Sequence, residues 1–328
     1  MRQEHLKYLV CPESREPLEI VDETSGPDGR IMTGFLAAKS GKRYPIVKGI
    51  PRFVPADNYT ASFGFQWNLY KDTQIDAHSG FDQSRRRFFE ETRWPEDMRG
   101  KLILEAGSGA GRFTAHAVGT GAMVVSFDYS NAVEANFQTN SANDNLLLVQ
   151  GDIFNPPFPQ GIFDAVMCLG VLQHTPDPKR AFQSLTRFPK AGGRIATDIY
   201  FKSWALLFHI KTYMRPLLRG KTPEKVHAFT ERYVAAIWPL VRLMRKTPPT
   251  RRVISRFVAE MSLQLPGATD PVLKEWAVLD TFDWFSPAYD NPQTRREFRA
   301  WHEEAKLAEV DVKRGWNGLE GRGRKSEA

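Results

Sequence analysis

The fold class follows from one segment, Leu102-Ile-Leu-Glu-Ala-Gly-Ser-Gly-Ala-Gly-Arg-Phe-Thr114. Its apolar start predicts a buried strand, which ends near the carboxylate Glu105. Three glycines at alternate positions, Gly107, Gly109 and Gly111, predict a tight turn into a helix, since glycine tolerates positive φ and a close approach of a ligand. A strand, a glycine turn and a helix start together predict a nucleotide-like ligand held by free backbone N–H groups.

The glycine spacing distinguishes between two kinds of such ligand. The dinucleotide fingerprint G-x-G-x-x-G would need its third glycine at position 112, which is Arg112. The pattern here is E-x-G-x-G-x-G, and Glu105 would attract an ammonium group but repel a pyrophosphate. The spacing therefore disfavours a nicotinamide cofactor and an NAD-dependent reductase.

In this form the segment resembles the first motif of the class I S-adenosylmethionine-dependent methyltransferases. The resemblance implies a Rossmann-like α/β fold with a doubly wound, mostly parallel seven-stranded sheet. It also implies S-adenosylmethionine as cofactor, with Glu105 near its methionine amino group, directly or through water. A glycine-rich turn without any ligand is the alternative for this segment taken alone.

Three later apolar runs predict further parallel strands whose ends meet at the same sheet edge. The run 123–127 leads to Asp128, about 20 residues past the turn, where a doubly wound sheet places an acid on ribose hydroxyls. The alternative role of Asp128 is helix N-capping, for which Ser130 is available instead. The runs 146–150 and 163–168 are the third and fourth strands.

The loops after these strands resemble further motifs of the family. The resemblance implies that Asp152 holds the adenine amino group, and that the neighbouring backbone at Ile153 contacts a ring nitrogen. The segment 169–177 resembles the fourth motif, which lies beside the methionine moiety. The predicted cofactor-binding residues are Glu105, Gly107, Gly109, Gly111, Asp128, Tyr129, Asp152, Ile153, Leu169 and Arg87.

Residues for the methyl acceptor are predicted from position alone. His174 follows the fourth strand and is a candidate general base, although a structural histidine in a loop is the alternative. An aromatic loop over 282–290 is expected at the same edge, and the candidates for the substrate pocket are Trp284, Phe285, Tyr289 and Tyr200. The alternative for the loop aromatics is that they wedge a helical cap onto the core.

One motif points elsewhere. Asn155-Pro-Pro-Phe158 matches the motif by which amino-group methyltransferases of DNA and protein hold a planar nitrogen. In those enzymes it follows the fourth strand, whereas here it precedes that strand, and two prolines are ordinary in a loop. The position disfavours amino-group methylation.

The chain divides into five predicted regions. The first resembles a zinc-ribbon-like module, but Cys11 alone cannot hold a structural zinc, so no metal is expected. Such a short module is expected to pack on the core. The regions are 1–56, the module; 57–100, a helical lid over the cofactor; 101–201, the cofactor-binding core; 202–280, a basic helical cap; and 281–328, a substrate loop, the last helix and a terminal β-hairpin. The candidate lining residues of the lid are Tyr59, Gln66, Trp67 and Arg87. The prolines of the cap are expected to break it into short pieces.

Charge and composition bound the partners. The 328 residues carry a net charge of +7, while residues 202–256 alone hold thirteen basic and two acidic residues. This segment predicts either a solvated lid face or a contact with an anionic membrane, substrate or acidic partner. The remainder is mildly acidic, which disfavours nucleic acid. Two cysteines and the absence of a secretory signal pattern favour a cytoplasmic protein, and an oligomer remains open.

These observations predict an enzyme that methylates a small molecule, at a hydroxyl oxygen of a sugar, polyketide or isoprenoid-like metabolite. Two alternatives remain. One is a methyltransferase acting on RNA or protein, and the other is a non-catalytic cofactor-binding partner of another enzyme.

Overall fold

The computed structural model describes residues 1–55, 61–70 and 73–327, without the side chains of residues 61, 62 and 68. An N-terminal antiparallel sheet has the order β1-β2-β3-β4. Its strands are β1 (Leu18–Ser25), β2 (Ile31–Ala38), β3 (Arg43–Val47) and β4 (Ile50–Pro51). The helices α1 (Ala61–Leu69), α2 (Asp76–Ser79) and α3 (Gln83–Thr92) follow.

The second sheet contains seven strands and carries the site. The chain runs through β5 (Leu102–Ala106), α4 (Thr114–Gly119), β6 (Met123–Asp128), α5 (Val133–Asn140), β7 (Leu146–Gln150), β8 (Phe163–Cys168), α6 (Pro178–Leu185) and β9 (Pro189–Ile199). These five strands pair in parallel. Helices cover both faces of a parallel sheet, and the strands are accordingly buried, continuous apolar runs.

A helical cap (residues 202–280 of the sequence prediction) interrupts the chain before the sheet is completed. It contains α7 (Ile210–Leu218), α8 (Pro223–Met244), α9 (Pro248–Ile254) and α10 (Asp270–Phe285). The chain then returns through α11 (Arg295–Glu304), β10 (Leu307–Gly315) and β11 (Gly318–Lys325). The strand order β10-β11-β9-β8-β5-β6-β7, with β11 antiparallel to β9, confirms the predicted doubly wound, mostly parallel sheet.

The N-terminal sheet packs against the outer edge of the larger one. Leu9 and Leu36 belong to the same apolar cluster as Phe127 and Phe158. The buried Arg52 donates to Gln150 on β7 and pairs with Glu134 on α5 at 3.0 Å. The short module therefore gains the core that it cannot build alone, as predicted. Its resemblance to a zinc ribbon remains a prediction.

The cap differs from expectation in two respects. Prolines divide it at only some of the predicted places. Pro223 and Pro248 stand at the starts of α8 and α9, but Pro239 lies inside the 22-residue α8 and Pro216 lies inside α7. Both internal prolines are exposed, so water can bond the backbone groups that they leave unpaired. The predicted aromatic loop over 282–290 is also wrong at its start, because α10 continues to Phe285 with its apolar side packed on α8. In the described part of the chain, no helix has the length and apolar character to cross a bilayer.

Substitution of the last glycine in the turn tests how α4 packs on α5. Gly111 has a φ of +89°, and a Cβ there would overlap Asn136 Oδ1 and Asn140 Nδ2. Gly111→Ala is expected to lower the free energy of unfolding by about 2–4 kcal/mol in urea titrations. The matched control is Gly119→Ala in the same region, where a Cβ meets nothing within 4 Å and φ is ordinary. The control should be neutral or slightly stabilising, and equal losses in the two variants would contradict the packing argument.

Candidate active site

The glycine turn after β5 is held by the end of β6. The N–H groups of Gly107 and Ser108 donate to the carbonyl oxygen of Phe127, at 2.7 and 3.2 Å. The N–H of Gly109 donates to Asp128 Oδ2 at 2.9 Å. These three donors are therefore satisfied inside the protein, so the prediction that the turn offers them to a ligand is corrected here. Glycine is needed for shape, because φ is +77° at Gly107 and a Cβ there would overlap Val171.

Asp128 is a half-buried carboxylate with three bonds of its own. Its Oδ1 accepts from the N–H and the hydroxyl of Ser130, at 2.8 and 2.7 Å, in addition to the bond that Oδ2 makes to Gly109. Ser130 thus binds Asp128 and does not free it, contrary to the prediction. A carboxylate has about four acceptor positions, so Asp128 retains room for one further donor. Burial raises the pKa of Asp128 above its ordinary value.

Glu105 lies beneath the turn. Its Oε2 accepts from the hydroxyls of Thr114 and Ser126 at 2.5 and 2.7 Å, and the residue is buried. Burial raises the pKa of Glu105 to about 7 against the effect of these two donors. The carboxyl therefore ties β5 to α4 and β6, and it does not reach the cavity described next.

A cavity of about 570 Å³ opens at the carboxyl edge of the sheet. This volume lies within the range of small-molecule sites. Of the residues predicted to bind the cofactor, the cavity is lined by Gly107, Gly109, Asp128, Tyr129, Ile153, Leu169 and Arg87. Glu105, Gly111 and Asp152 do not line it in the described structure. Asp152 instead accepts the N–H of Phe154 at 2.9 Å, which closes its own turn, and Gly111 packs on α5.

Two further polar side chains in the cavity wall lack partners. Three buried atoms, Nε2 and Oε1 of Gln66 and the hydroxyl oxygen of Ser108, have no hydrogen-bond partner within the part of the chain that the structure describes. Buried polar atoms are seldom left unpaired unless a ligand or water meets them. Together with Asp128 and the glycine turn, Gln66 and Ser108 fit an adenosyl ligand that carries hydroxyl and amino groups. Trp67, also predicted to line the site, does so, whereas Tyr59 lies outside the described residues.

Arg87 connects the lid to the sheet. Its guanidinium bonds Glu91 Oε1 at 2.7 Å and Asp198 Oδ2 at 2.5 Å. Asp198 Oδ1 in turn accepts the N–H of Gly170. The guanidinium is thus already paired with two buried carboxylates, which fixes α3 against the end of β9. Its predicted role at the methionine carboxylate remains a prediction.

The cavity wall also contains a histidine, a tyrosine and an aspartate that lie close together. The ring of His174 lies 5.3 Å from that of Tyr200, centroid to centroid, and the Tyr200 hydroxyl donates to Asp283 Oδ2 at 2.8 Å. His174 Nε2 lies 3.8 Å from the same oxygen. Burial and the neighbouring Asp283 raise the pKa of Tyr200 well above its ordinary value, so the phenol stays protonated and donates.

The tautomer of His174 follows from its second nitrogen. Nδ1 lies 3.1 Å from the backbone carbonyl oxygen of Tyr289, and a carbonyl can only accept. The neutral ring therefore carries its proton on Nδ1, which leaves the lone pair of Nε2 beside the cavity and Asp283.

The substrate-pocket prediction is partly corrected. Tyr200 and Trp284 line the cavity, but Phe285 packs with Phe229 and Tyr233 inside the cap. The helical phase explains this, since successive residues of α10 point to different sides. Tyr289 contributes its backbone carbonyl to His174, and its side chain does not line the cavity within the described structure.

Sequence reasoning missed two acids on α10. Asp280 and Asp283 lie three residues apart on the helix and both line the cavity. Burial and the charge of Asp283 raise the pKa of Asp280 to about 7. The available signal was two carboxylates at helical spacing in an otherwise apolar stretch. Burial of two carboxylates costs free energy unless they face a polar site.

Comparison with known proteins places this geometry. Residues 104–197 match a family described as "Methyltransferase domain". The chain is 31% identical over 105 residues to a demethylmenaquinone methyltransferase of Clavibacter sepedonicus, covering 32% of this chain and 43% of that protein. It is 30% identical over 107 residues to a ubiquinone biosynthesis O-methyltransferase of Thiobacillus denitrificans, covering 31% and 45%. The chain thus spans less than half the length of these two relatives.

Among solved structures, a putative S-adenosylmethionine-dependent methyltransferase of Methanococcus maripaludis aligns with a TM-score of 0.46 at 14% identity, over 84% of this chain and 98% of that one. Residues 104–197 thus match a methyltransferase domain, and the strand order is that of the Rossmann-like methyltransferase fold predicted from the sequence. The match supports S-adenosylmethionine as the cofactor.

The buried carboxyl of Glu105 makes stability depend on pH. Because its folded pKa of about 7 lies above the unfolded value of 4.5, the folded state holds an extra proton between these values, and stability falls as pH rises through them. Glu105→Gln removes this loss. The free energy of unfolding of the variant, relative to the native chain, should therefore rise between pH 5 and pH 8 by up to about 3 kcal/mol.

The matched control is Glu19→Gln on the exposed side of β1. Its stability relative to the native chain should not change with pH. A pH-independent difference for Glu105→Gln would contradict a buried, proton-binding carboxyl at this position.

Proposed function

We propose that this chain transfers the methyl group of S-adenosylmethionine to a hydroxyl oxygen of a small, largely apolar acceptor. The observation that carries the proposal is the single cavity that joins the glycine turn to His174. One end presents Gly107, Gly109 and Asp128, and the other presents a histidine nitrogen with a free lone pair.

At the first end, the protein positions the cofactor. Asp128 would accept a ribose hydroxyl with its remaining acceptor position, and the unpaired Gln66 and Ser108 would bond polar atoms of the adenosyl or methionine parts. Bound S-adenosylmethionine supplies a methyl group already activated on a sulfonium. The protein then has to align the acceptor and exclude water.

At the second end, His174 serves as general base. An acceptor hydroxyl must lose its proton as the new bond to oxygen forms, and Nε2 is available to take it. Asp283, 3.8 Å from Nε2, would stabilise the imidazolium that results, while Tyr200 holds Asp283 in place. Asp283 and Tyr200 are half-buried in the cavity wall, where such electrostatic support is stronger than in water.

The walls at this end favour an aromatic or prenylated acceptor. They include Trp276, Trp284, Phe201 and Met261, which offer large apolar surface, while Asp280 supplies a polar group. The relatives named for demethylmenaquinone and ubiquinone biosynthesis support a hydroxylated quinone ring within the isoprenoid-like class.

Binding of the cofactor is tested by calorimetric titration with S-adenosylhomocysteine and with NAD. We expect binding of the first and none of the second. Asp128→Asn should weaken S-adenosylhomocysteine binding about 10- to 100-fold, because a charged acceptor for the ribose is lost. The exposed Asp97→Asn is the control and should bind as the native chain does. Binding of NAD alone, or unchanged affinity in Asp128→Asn, would contradict the proposal.

Catalysis is tested by release of S-adenosylhomocysteine with a panel of hydroxylated quinols. His174→Gln should lower kcat by about 10²- to 10⁴-fold, while its affinity for S-adenosylhomocysteine remains unchanged. Asp283→Asn should lower kcat less, since it acts through the histidine. Identification of the product as a methyl ether or as a ring-methylated quinol distinguishes oxygen from carbon methylation. Full activity of His174→Gln on an active hydroxyl acceptor would disprove the assignment of the base.

A further inference from the structure

The cap carries an exposed apolar surface beside the cavity. A 3₁₀ helix, Trp204–Phe208, forms part of the cavity wall through Leu206, with Ser203 and His209 at its two ends. The three largest exposed side chains of this helix face solvent: Trp204 is 74% exposed, Leu207 62% and Phe208 57%. The same short segment thus closes the cavity on one side and presents large apolar groups on the other.

This surface extends onto α7. The hydroxyl of Tyr213 donates to the carbonyl oxygen of Leu207 at 2.6 Å, which places the exposed Tyr213 next to the 3₁₀ helix. Leu217 lies one turn further along α7 and is also exposed. The rings of Trp204 and Phe208 are 5.9 Å apart in an edge-to-face arrangement. We call these five residues, Trp204, Leu207, Phe208, Tyr213 and Leu217, the apolar rim.

Basic side chains flank the apolar rim. The N–H of Ile210 donates to the backbone carbonyl of Arg256 at 2.9 Å, so the segment after α9 lies against the start of α7. Arg252 on α9, Arg256 on this segment and the adjoining Phe257 are exposed. Among the described residues, no acidic side chain forms an ion pair with Arg252, Arg256 or the exposed Arg219.

The charge of Arg219, Arg252 and Arg256 is therefore uncompensated, whereas Lys211, Arg242, Arg245 and Arg251 pair with acids outside residues 202–256. Residues 202–256 carry thirteen basic and two acidic residues, although the rest of the chain is mildly acidic. Aromatic and aliphatic side chains beside unpaired arginines are the combination that lies at the boundary between lipid headgroups and acyl chains.

We propose that the apolar rim docks on the surface of an anionic lipid bilayer. Trp204, Leu207 and Phe208 enter the headgroup–acyl boundary, and Arg252 and Arg256 face the anionic headgroups. Because Leu206 lines the cavity from the same helix, the docked protein holds the wall of its acceptor end at the membrane. A lipid-soluble acceptor then enters from the bilayer, a step that rests on the function proposed above, whereas the docking itself does not.

The test is co-sedimentation of the full chain with two kinds of vesicle. One contains phosphatidylcholine alone, and the other contains phosphatidylcholine with about 30 mol% of the anionic lipid phosphatidylglycerol. The native chain should bind the anionic vesicles at low salt and lose most of this binding when salt is raised, since the charges are exposed. Trp204→Ala/Phe208→Ala should bind at least about 10-fold more weakly. Arg252→Ala/Arg256→Ala should bind about 30-fold more weakly.

Matched controls lie in the N-terminal module, which is distant from the apolar rim in sequence. Lys7→Ala/Lys39→Ala removes the same charge from exposed positions, and Val47→Ala removes an exposed apolar side chain. Both should sediment as the native chain does. Thermal unfolding and titration with S-adenosylhomocysteine in every variant show whether folding and the cofactor site are intact.

Three outcomes overturn the docking proposal. The first is a lack of binding to anionic vesicles by the folded native chain. The second is equal binding by the native chain and by Trp204→Ala/Phe208→Ala. The third is self-association that this variant abolishes without any vesicle binding, which would show that the rim contacts a second copy. Vesicle binding by a chain that does not bind S-adenosylhomocysteine would instead refute the proposed function and leave the docking supported.

Discussion

The site depends on the contact between the glycine turn and the end of β6. The carbonyl of Phe127 and the carboxylate of Asp128 accept the N–H groups of Gly107, Ser108 and Gly109. Without these bonds the turn would expose buried donors, each of which costs about 1–3 kcal/mol when unpaired. Asp128 therefore shapes the turn as well as facing the cavity. Beneath the turn, Glu105 accepts from two hydroxyls and so joins β5 to α4 and β6. The first carboxylate of the motif therefore stabilises the fold around the site.

The acceptor end has a different origin. Its histidine belongs to the loop after β8, but the aspartates beside it come from α10, at the end of the cap. The sheet thus supplies the general position of the site, and the inserted helices supply the groups that complete it. The same insertion contributes Leu206 to the cavity wall. Substrate choice and attachment to a surface can therefore change in the cap while the turn and its β6 contacts are kept.

Periodicity and spacing predicted the sheet well because buried parallel strands are continuous apolar runs. The run 146–150 and the run 163–168 match β7 and β8 residue for residue. The site was predicted less completely. Position in the sequence placed Asp128 and His174 at the correct edge, but the structure shows Glu105 bonded to the neighbouring elements α4 and β6, and Asp152 closing its own turn. Asp283 was missed because its contact with Tyr200 joins residues 83 positions apart, which no local pattern reveals.

A crystal structure of the chain with S-adenosylhomocysteine would show which atoms contact the ligand. We expect the adenosyl group against Gly107 and Gly109, with a ribose hydroxyl within about 3 Å of Asp128 and new bonds to Gln66 or Ser108. We also expect the ligand sulfur on the side of the cavity that faces His174. A ligand bound away from this turn, or a ribose without any contact to Asp128, would contradict this assignment of the site.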